Sequence, residues 1–246
     1  NDGIRIWETP SGILNSIGLE NPGVEEFVKT KIHDMNKLGT EVFVNLGGNT
    51  IEEYIESAEI LNDYDFAAIE LNISCPNVKE GGMAFGMDKD SAARVVREVM
   101  KVTNKKVFVK LSPNAGDIVG IAKAVEAEGA TGLSLINTIL GMAIDLDREE
   151  IPFDNTYAGL SGPAVKPIAL RILHQVAKNV DIPIIGMGGI SNYRDVLEFL
   201  MAGATAVEIG TYNFMNPNGG AEIISDLERY LEEKNKNIND FVKKLV

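Results

Sequence analysis

The chain has 246 residues, 45% of them hydrophobic, and its 23 Lys and Arg against 36 Asp and Glu leave a formal net charge of −13. That is enough apolar material for one sizeable core, and no Ser/Gly/Pro-rich linker divides it, so a single domain over 1–246 is expected. The acidity excludes a nucleic-acid surface, whose affinity rests on clustered Lys and Arg. A single cysteine excludes an internal disulfide framework and any iron–sulfur cluster ligated by this chain alone, and it favours a reducing, cytoplasmic setting. No apolar run approaches the roughly eighteen residues of a membrane span, and no basic-then-apolar start reads as a signal peptide. The two histidines, His33 and His174, fall far apart in helical patterns, so no metal site is expected.

In chain order, the stretch before Glu41 predicts a hairpin over Ile4 to Leu19 and one helix over Val24 to Leu38. From Glu41 onward, short β-branched or aromatic runs alternate with helices carrying apolar positions at i, i+3 and i+4. Strands are predicted over Val42 to Leu46, Phe66 to Ile73, Val107 to Leu111, Gly132 to Ile136, Ile182 to Gly186 and Ala206 to Ile209. Near-continuous apolar strands with helical crossovers imply a parallel sheet covered on its faces, either doubly wound or closed as a barrel. Polar residues gather at every strand's carboxyl end: Asn45, Asn72 with Cys75, Lys110, Asn137 with Thr138, Gly188 with Gly189, and Gly210 with Thr211. Only in a barrel do all of these meet at one face. The expected fold is therefore an α/β (β/α)8 TIM barrel. Six predicted strands are two short of eight and the chain starts at Asn1 without methionine, so two strands are expected to precede the sequence given.

The stretch Glu70-Leu71-Asn72-Ile73-Ser74-Cys75-Pro76-Asn77 places the only cysteine between two asparagines where a buried strand stops. Pro76 holds Cys75 extended and forbids helix there. A free cysteine is most often a small buried hydrophobe, but amides that both donate and accept suit a planar ligand with alternating N–H and C=O groups better than a core.

Lys110 ends a buried strand, where a lysine requires a negative partner. Two partners fit: Glu70 on the preceding strand as an ion pair, or an electron-rich cofactor such as a flavin, whose reduced ring carries negative charge near N1 and the C2 carbonyl. Ile184 to Ile190 (IIGMGGI) and Val207 to Thr211 (VEIGT) are successive strand–glycine–helix units of the kind that holds a phosphate after the seventh and eighth strands of a barrel. A dinucleotide fingerprint fits less well, because its third glycine would fall at Ser191. The connection from Asn137 and Thr138 to the helix near Ala164 is long for this fold, which marks it as functional. Asn15-Ser16-Ile17-Gly18-Leu19 adds an amide beside a glycine turn whose N–H groups could take a carboxylate.

Assembled, these segments resemble the dihydroorotate dehydrogenase family along essentially the whole chain. The segments ETPSG, LENPG, LNISCPNVKEGG, VKLSPN, INTILGMAIDL, GLSGPAVKPIALR, GMGGI and IGT occur in the family's order. Cys75 in SCPN, followed by VKEGG, is similar to the soluble cysteine-base class and, within it, the NAD-linked catalytic subunit. The resemblance implies FMN held at Asn45, Asn72, Lys110, Ile136, Gly162, Gly188, Gly189, Gly210 and Thr211. It implies a pyrimidine held by Asn15, Ser16, Ile17, Gly18 and Leu19, by Asn72 and Asn77, and by Asn137 with Thr138. Cys75 is then the general base that takes a proton from C5 of dihydroorotate as a hydride leaves C6 for FMN. A homodimer and a partner subunit carrying FAD and a [2Fe-2S] cluster are further implications. The family's early serine and lysine that touch flavin and substrate would fall before Asn1.

Two enzyme alternatives stay open at this stage. One is the fumarate-using single-subunit relative. The other is a flavin-free, phosphate-binding lyase or isomerase on the same barrel that uses Lys110 as a Schiff-base amine. A non-catalytic binding subunit is a third reading, which the intact cysteine, lysine and asparagine set disfavours.

Overall fold

The structure, a computed structural model, describes residues 3–74 and 82–246, with side chains from 85 onward in the second stretch. It opens with a hairpin, β1 (Ile6–Thr9) and β2 (Gly12–Asn15), followed by the short helices α1 (Val24–Thr30) and α2 (Ile32–Met35). Strand β3 (Phe43–Gly47), helix α3 (Ile51–Leu61), strand β4 (Ala68–Asn72), helices α4 (Gly82–Met87) and α5 (Lys89–Val102), strand β5 (Lys106–Lys110), helix α6 (Ile118–Ala127) and strand β6 (Gly132–Leu135) come next. An arm with β7 (Ile139–Gly141) and β8 (Ala158–Ser161) precedes α7 (Lys166–Ala177). The chain then runs through β9 (Ile184–Met187), α8 (Tyr193–Met201), β10 (Ala206–Glu208), α9 (Tyr212–Met215) and α10 (Gly219–Lys234).

All six strands predicted after Glu41 form, and they make one parallel sheet in the order β10-β9-β6-β5-β4-β3. Each crossover therefore steps the same way, with no reversal of strand order. A doubly wound sheet has such a reversal, whereas a barrel wall does not. The sheet is thus the curled wall of a β/α barrel, six strands of it among the described residues.

Burial explains why these segments read as apolar runs. Every residue of β4, β6 and β9 is buried, because one face meets the helices and the other the barrel interior. The helices cover the outer face with apolar stripes. In α5, Asp88 caps the amino terminus by accepting from Ser91 N at 2.9 Å, and Ala92, Val95, Val96 and Val99 are buried at helical spacing. Tyr54 of α3, fully buried, donates its hydroxyl to Asn72 O at 2.8 Å and so ties a helix to the end of β4.

Two local expectations change. The helix predicted over Val24 to Leu38 is broken at Lys31 (φ −117°) into α1, α2 and a 3-10 turn over Asn36–Leu38. Only Val28 and Ile32 are buried along it, so packing anchors one turn and leaves the rest to local geometry. The long connection after Thr138 carries two strands not among those predicted. These join the opening hairpin in an antiparallel sheet of order β1-β2-β8-β7, over a small core of Leu14, Phe153 and Ala158. Its β2 and β8 partners lie about 146 residues apart in sequence, as in the pair Leu14 and Leu160. No helix among the described residues is long and apolar enough to cross a membrane.

Candidate active site

The carboxyl ends of β8, β9 and β10 run into glycine turns that pack on one another. Gly162, Gly188 and Gly189 have φ of 98°, 124° and 76°, a region that side-chain-bearing residues rarely adopt. A Cβ on Gly189 would lie 2.7 Å from Gly162 O, and one on Gly162 would lie 2.8 Å from Gly12 Cα and 3.6 Å from Thr211 Cγ2. The turns can approach this closely only because these positions are glycine. The N–H groups of Gly189, Ile190, Gly210 and Thr211 have no acceptor among the described residues. They edge a cavity of about 210 Å³ that also reaches Lys110, Ile136, Asn137 and Thr138. Such a ring of unspent N–H groups on close-packed turns is a cradle for a phosphate.

Lys110 closes the cavity from the side of β5. Its Nζ donates to Glu70 Oε2 at 3.2 Å, and Asn45 Nδ2 donates to the same oxygen. The ion pair expected for Lys110 is therefore present, and the same lysine lines the cavity, so the two readings coexist. Glu70 is 5% exposed and its other oxygen, Oε1, is buried with no hydrogen-bond partner among the described residues. Glu208, on β10, adds a second carboxyl to this cluster. Burial, and then repulsion from Glu70, pushes the Glu208 carboxyl up to about 7, against the opposing pull of Lys110. A proton held on Glu208 lets the one ammonium of Lys110 face two neighbouring carboxyls without both being charged.

Beside Lys110 in sheet register stands Asn72, at the end of β4. Its Oδ1 accepts from Ser74 N at 3.2 Å, from Ser74 Oγ at 2.9 Å and from Asn137 Nδ2 at 3.5 Å, while Asn137 Nδ2 also donates to Ser74 Oγ at 2.9 Å. Asn114 Nδ2 donates to Thr138 O at 3.1 Å, and Asn114 Oδ1 accepts from Leu140 N at 3.0 Å. These bonds fix a cluster of amides whose remaining donors and acceptors can read a planar, polar ring. The arm reaches the same place: Asn15 Nδ2 donates to Gly159 O at 3.3 Å, and a Cβ on Gly159 would lie 2.2 Å from Thr138 Oγ1.

Of the residues expected to hold FMN, Lys110, Ile136, Gly162, Gly188, Gly189, Gly210 and Thr211 line one cavity. Asn72 joins it through Asn137, whereas Asn45 is turned to Glu70 and lines a separate hollow beside β3, together with Gly18 and Leu19. In the segment from Asn15 to Leu19, the N–H of Ser16 donates to Arg5 O at 2.8 Å. Ser16 itself is buried and accepts from Asn155 Nδ2 at 3.1 Å. Cys75 and Asn77 lie outside the described residues.

Sequence reasoning passed over Ser74, Asn114 and Glu208. Asn114 carried a usable signal, since Ser112-Pro113-Asn114 follows β5 as Ser74 follows β4. Glu208 sat inside a strand already predicted, and a carboxylate in such a strand asks for a partner just as Lys110 did.

A parallel β/α barrel with a phosphate cradle, a buried cation and an amide cluster at one mouth is the frame of a phosphate-bearing-cofactor enzyme. Comparison with known proteins makes this specific. The dihydroorotate dehydrogenase family model matches residues 1–231. Proteins named dihydroorotate dehydrogenase B (NAD(+)), catalytic subunit, are similar to this chain throughout. That of Petrotoga mobilis is 53% identical over 234 residues, covering 95% of this chain and 78% of its own length. That of Desulforamulus reducens is 56% identical over 240 residues, covering 97% and 79%. That of Porphyromonas gingivalis is 51% identical over 228 residues, covering 92% and 74%. The chain belongs to the dihydroorotate dehydrogenase family, FMN-dependent oxidoreductases.

Proposed function

We propose that this protein oxidises dihydroorotate to orotate in pyrimidine synthesis, as the catalytic subunit of an NAD-linked enzyme. The observation that carries the reading is the meeting, at one barrel mouth, of the Gly162, Gly188–Gly189 and Gly210–Thr211 turns, Lys110, and the Asn72–Ser74–Asn137 amides. FMN fits this set, because a phosphate suits unspent N–H groups and a ring that gains negative charge suits a fixed ammonium. Its phosphate falls to Gly162, Gly188, Gly189, Gly210 and Thr211, and its ring to Lys110, Ile136 and Asn72, with Asn45 acting from the far side of Glu70. When bound, FMN supplies the hydride acceptor.

The chain's own residues do the rest. Asn72, Asn137, Thr138 and Asn77 orient the pyrimidine, and the segment from Asn15 through Ser16, Ile17 and Gly18 to Leu19 completes the set of pyrimidine ligands. Cys75 takes the C5 proton; a thiol, with a reference pKa of about 8.5, furnishes a base near neutrality far better than an alcohol does. Electrons leave through a partner subunit carrying FAD and a [2Fe-2S] cluster, since one cysteine cannot ligate a cluster. The relatives' names, catalytic subunit and NAD(+), support that partner. A cytoplasmic homodimer, with 1–246 belonging to one FMN-binding barrel domain whose first strands precede Asn1, completes the proposal.

The test is an anaerobic absorption spectrum of the purified chain with dihydroorotate, followed by parallel assays with an artificial dye, fumarate and NAD⁺. Flavin bleaching and dye reduction without NAD⁺ or fumarate reduction are expected. A colourless protein that cannot take up FMN would favour the lyase reading, and brisk fumarate reduction would favour the single-subunit relative.

A further inference from the structure

Between the Gly188–Gly189 turn and the Gly162 turn lies a carboxylate that no step of the proposed reaction uses. Asp195, in the first turn of α8, is only 4% exposed. Capping of α8 is already done by Asn192, whose side chain accepts from Arg194 N at 2.9 Å and Asp195 N at 3.2 Å. Asp195 instead reaches backward and sideways. Its Oδ2 accepts from Ser191 N at 2.8 Å, Ser191 Oγ at 3.1 Å and Asn192 Nδ2 at 2.9 Å, which pins the end of the glycine turn. Its Oδ1 accepts from Lys166 Nζ at 2.6 Å.

Lys166 belongs to a different element: it is the first residue of α7, four positions after Gly162. Glu198 Oε2 takes the same ammonium at 2.8 Å from the solvent side. The two backbones are already in contact, since a Cβ on Gly189 would lie 3.0 Å from both Lys166 N and Lys166 Cβ. Burial pushes the Asp195 carboxyl up, but its bonds from Lys166 and Ser191 outweigh this and hold it below the usual carboxylate range. The bridge is therefore charged and short, with its carboxylate end buried and its ammonium end partly exposed.

We propose that Asp195 is a positioning residue for the phosphate cradle: through Ser191 and Lys166 it sets the spacing of the Gly188–Gly189 and Gly162 turns, and so the aim of their N–H groups on an anionic ligand. The division of labour is visible in the hydrogen bonds. The N–H of Ser191 is spent on Asp195, while those of Gly189 and Ile190 have no acceptor among the described residues. The Lys166 ammonium offsets the Asp195 charge at this turn. The inference rests on the reading that this cavity holds the FMN phosphate.

Equilibrium flavin titration of the full chain tests it, with FMN and riboflavin as probes, because riboflavin has the ring without the phosphate. Wild type is expected to prefer FMN by about a hundredfold or more. Asp195→Asn keeps an acceptor for Ser191 but removes the charge facing Lys166, and Lys166→Gln breaks the bridge from the other side. Each should weaken FMN about tenfold, roughly 1.4 kcal/mol, with riboflavin affinity unchanged within about twofold. The double variant should be no worse than either single one. FMN affinity equal to wild type in both variants overturns the role of Asp195. So does an equal loss for FMN and riboflavin, which would mark a merely structural residue. A wild type that does not discriminate between the two flavins would overturn the phosphate reading itself, and the positioning role with it.

Discussion

Lys110 and Glu70 meet at 3.2 Å across adjacent parallel strands, and the carboxylate oxygen that Lys110 does not touch is buried without a partner among the described residues. The pair is thus both an element of barrel stability and the cation of the proposed flavin site. Lys110→Met leaves Glu70 buried and uncompensated, which costs about 3 kcal/mol or more of stability. The double variant Glu70→Gln/Lys110→Met should recover most of that loss in a thermal melt. It should not recover the flavin: its midpoint potential should stay below wild type, because the fixed cation is gone in both variants. Recovery of the potential along with the stability would reject the cofactor role of Lys110.

Glu208 makes stability depend on pH in a defined direction. Its folded pKa of about 7 lies above the unfolded carboxyl value, so between about 4.5 and 7 the native state binds the extra proton and stability from this group falls as pH rises. Above about 7 the cost is complete. Glu208→Gln cannot ionise and should remove it, gaining on the order of 1 to 3 kcal/mol relative to wild type at pH 8 and little at pH 4. Denaturant melts at the two pH values measure the difference. A parallel offset at both would contradict the assignment.

Ser74 links the amides at the end of β4. Its fully buried hydroxyl lies 2.9 Å from both Asn72 Oδ1 and Asn137 Nδ2. Ser74→Ala leaves Asn137 Nδ2 only its 3.5 Å contact to Asn72 Oδ1 and should cost about 1 to 2 kcal/mol of stability. If the cluster reads the pyrimidine, orotate binding, followed by perturbation of the flavin spectrum, should weaken about tenfold while FMN affinity holds. An equal loss of both would reduce Ser74 to a packing role.

Cys75→Ser should retain FMN and orotate yet reduce its flavin far more slowly near neutrality, by about a hundredfold, because an alcohol is a much weaker acid than a thiol. Raising the pH should rescue the variant only weakly. Rapid-mixing measurements of flavin bleaching by dihydroorotate decide the matter, and unchanged rates at neutral pH would remove Cys75 as the base.

The alternation of apolar runs with amphipathic helices was enough to locate all six strands of the parallel wall within two residues or so, since burial on both faces leaves a strong mark on composition. The strand-end rule likewise found Lys110, Asn72, Asn137 and both glycine turns, because a barrel converts sequence position into a shared face. β7 and β8 escaped: they are short, lack alternation, and join a sheet only because a hairpin about 146 residues earlier offers its edge to β8. Glu208 and Asp195 escaped for a related reason. A carboxylate in a strand or a first helical turn is ordinary by itself, and only packing shows which charge it faces. Local periodicity and strand ends were written in the chain. The partners of buried charges were decided by tertiary structure, because low dielectric and exclusion of water arise only once the elements close around them.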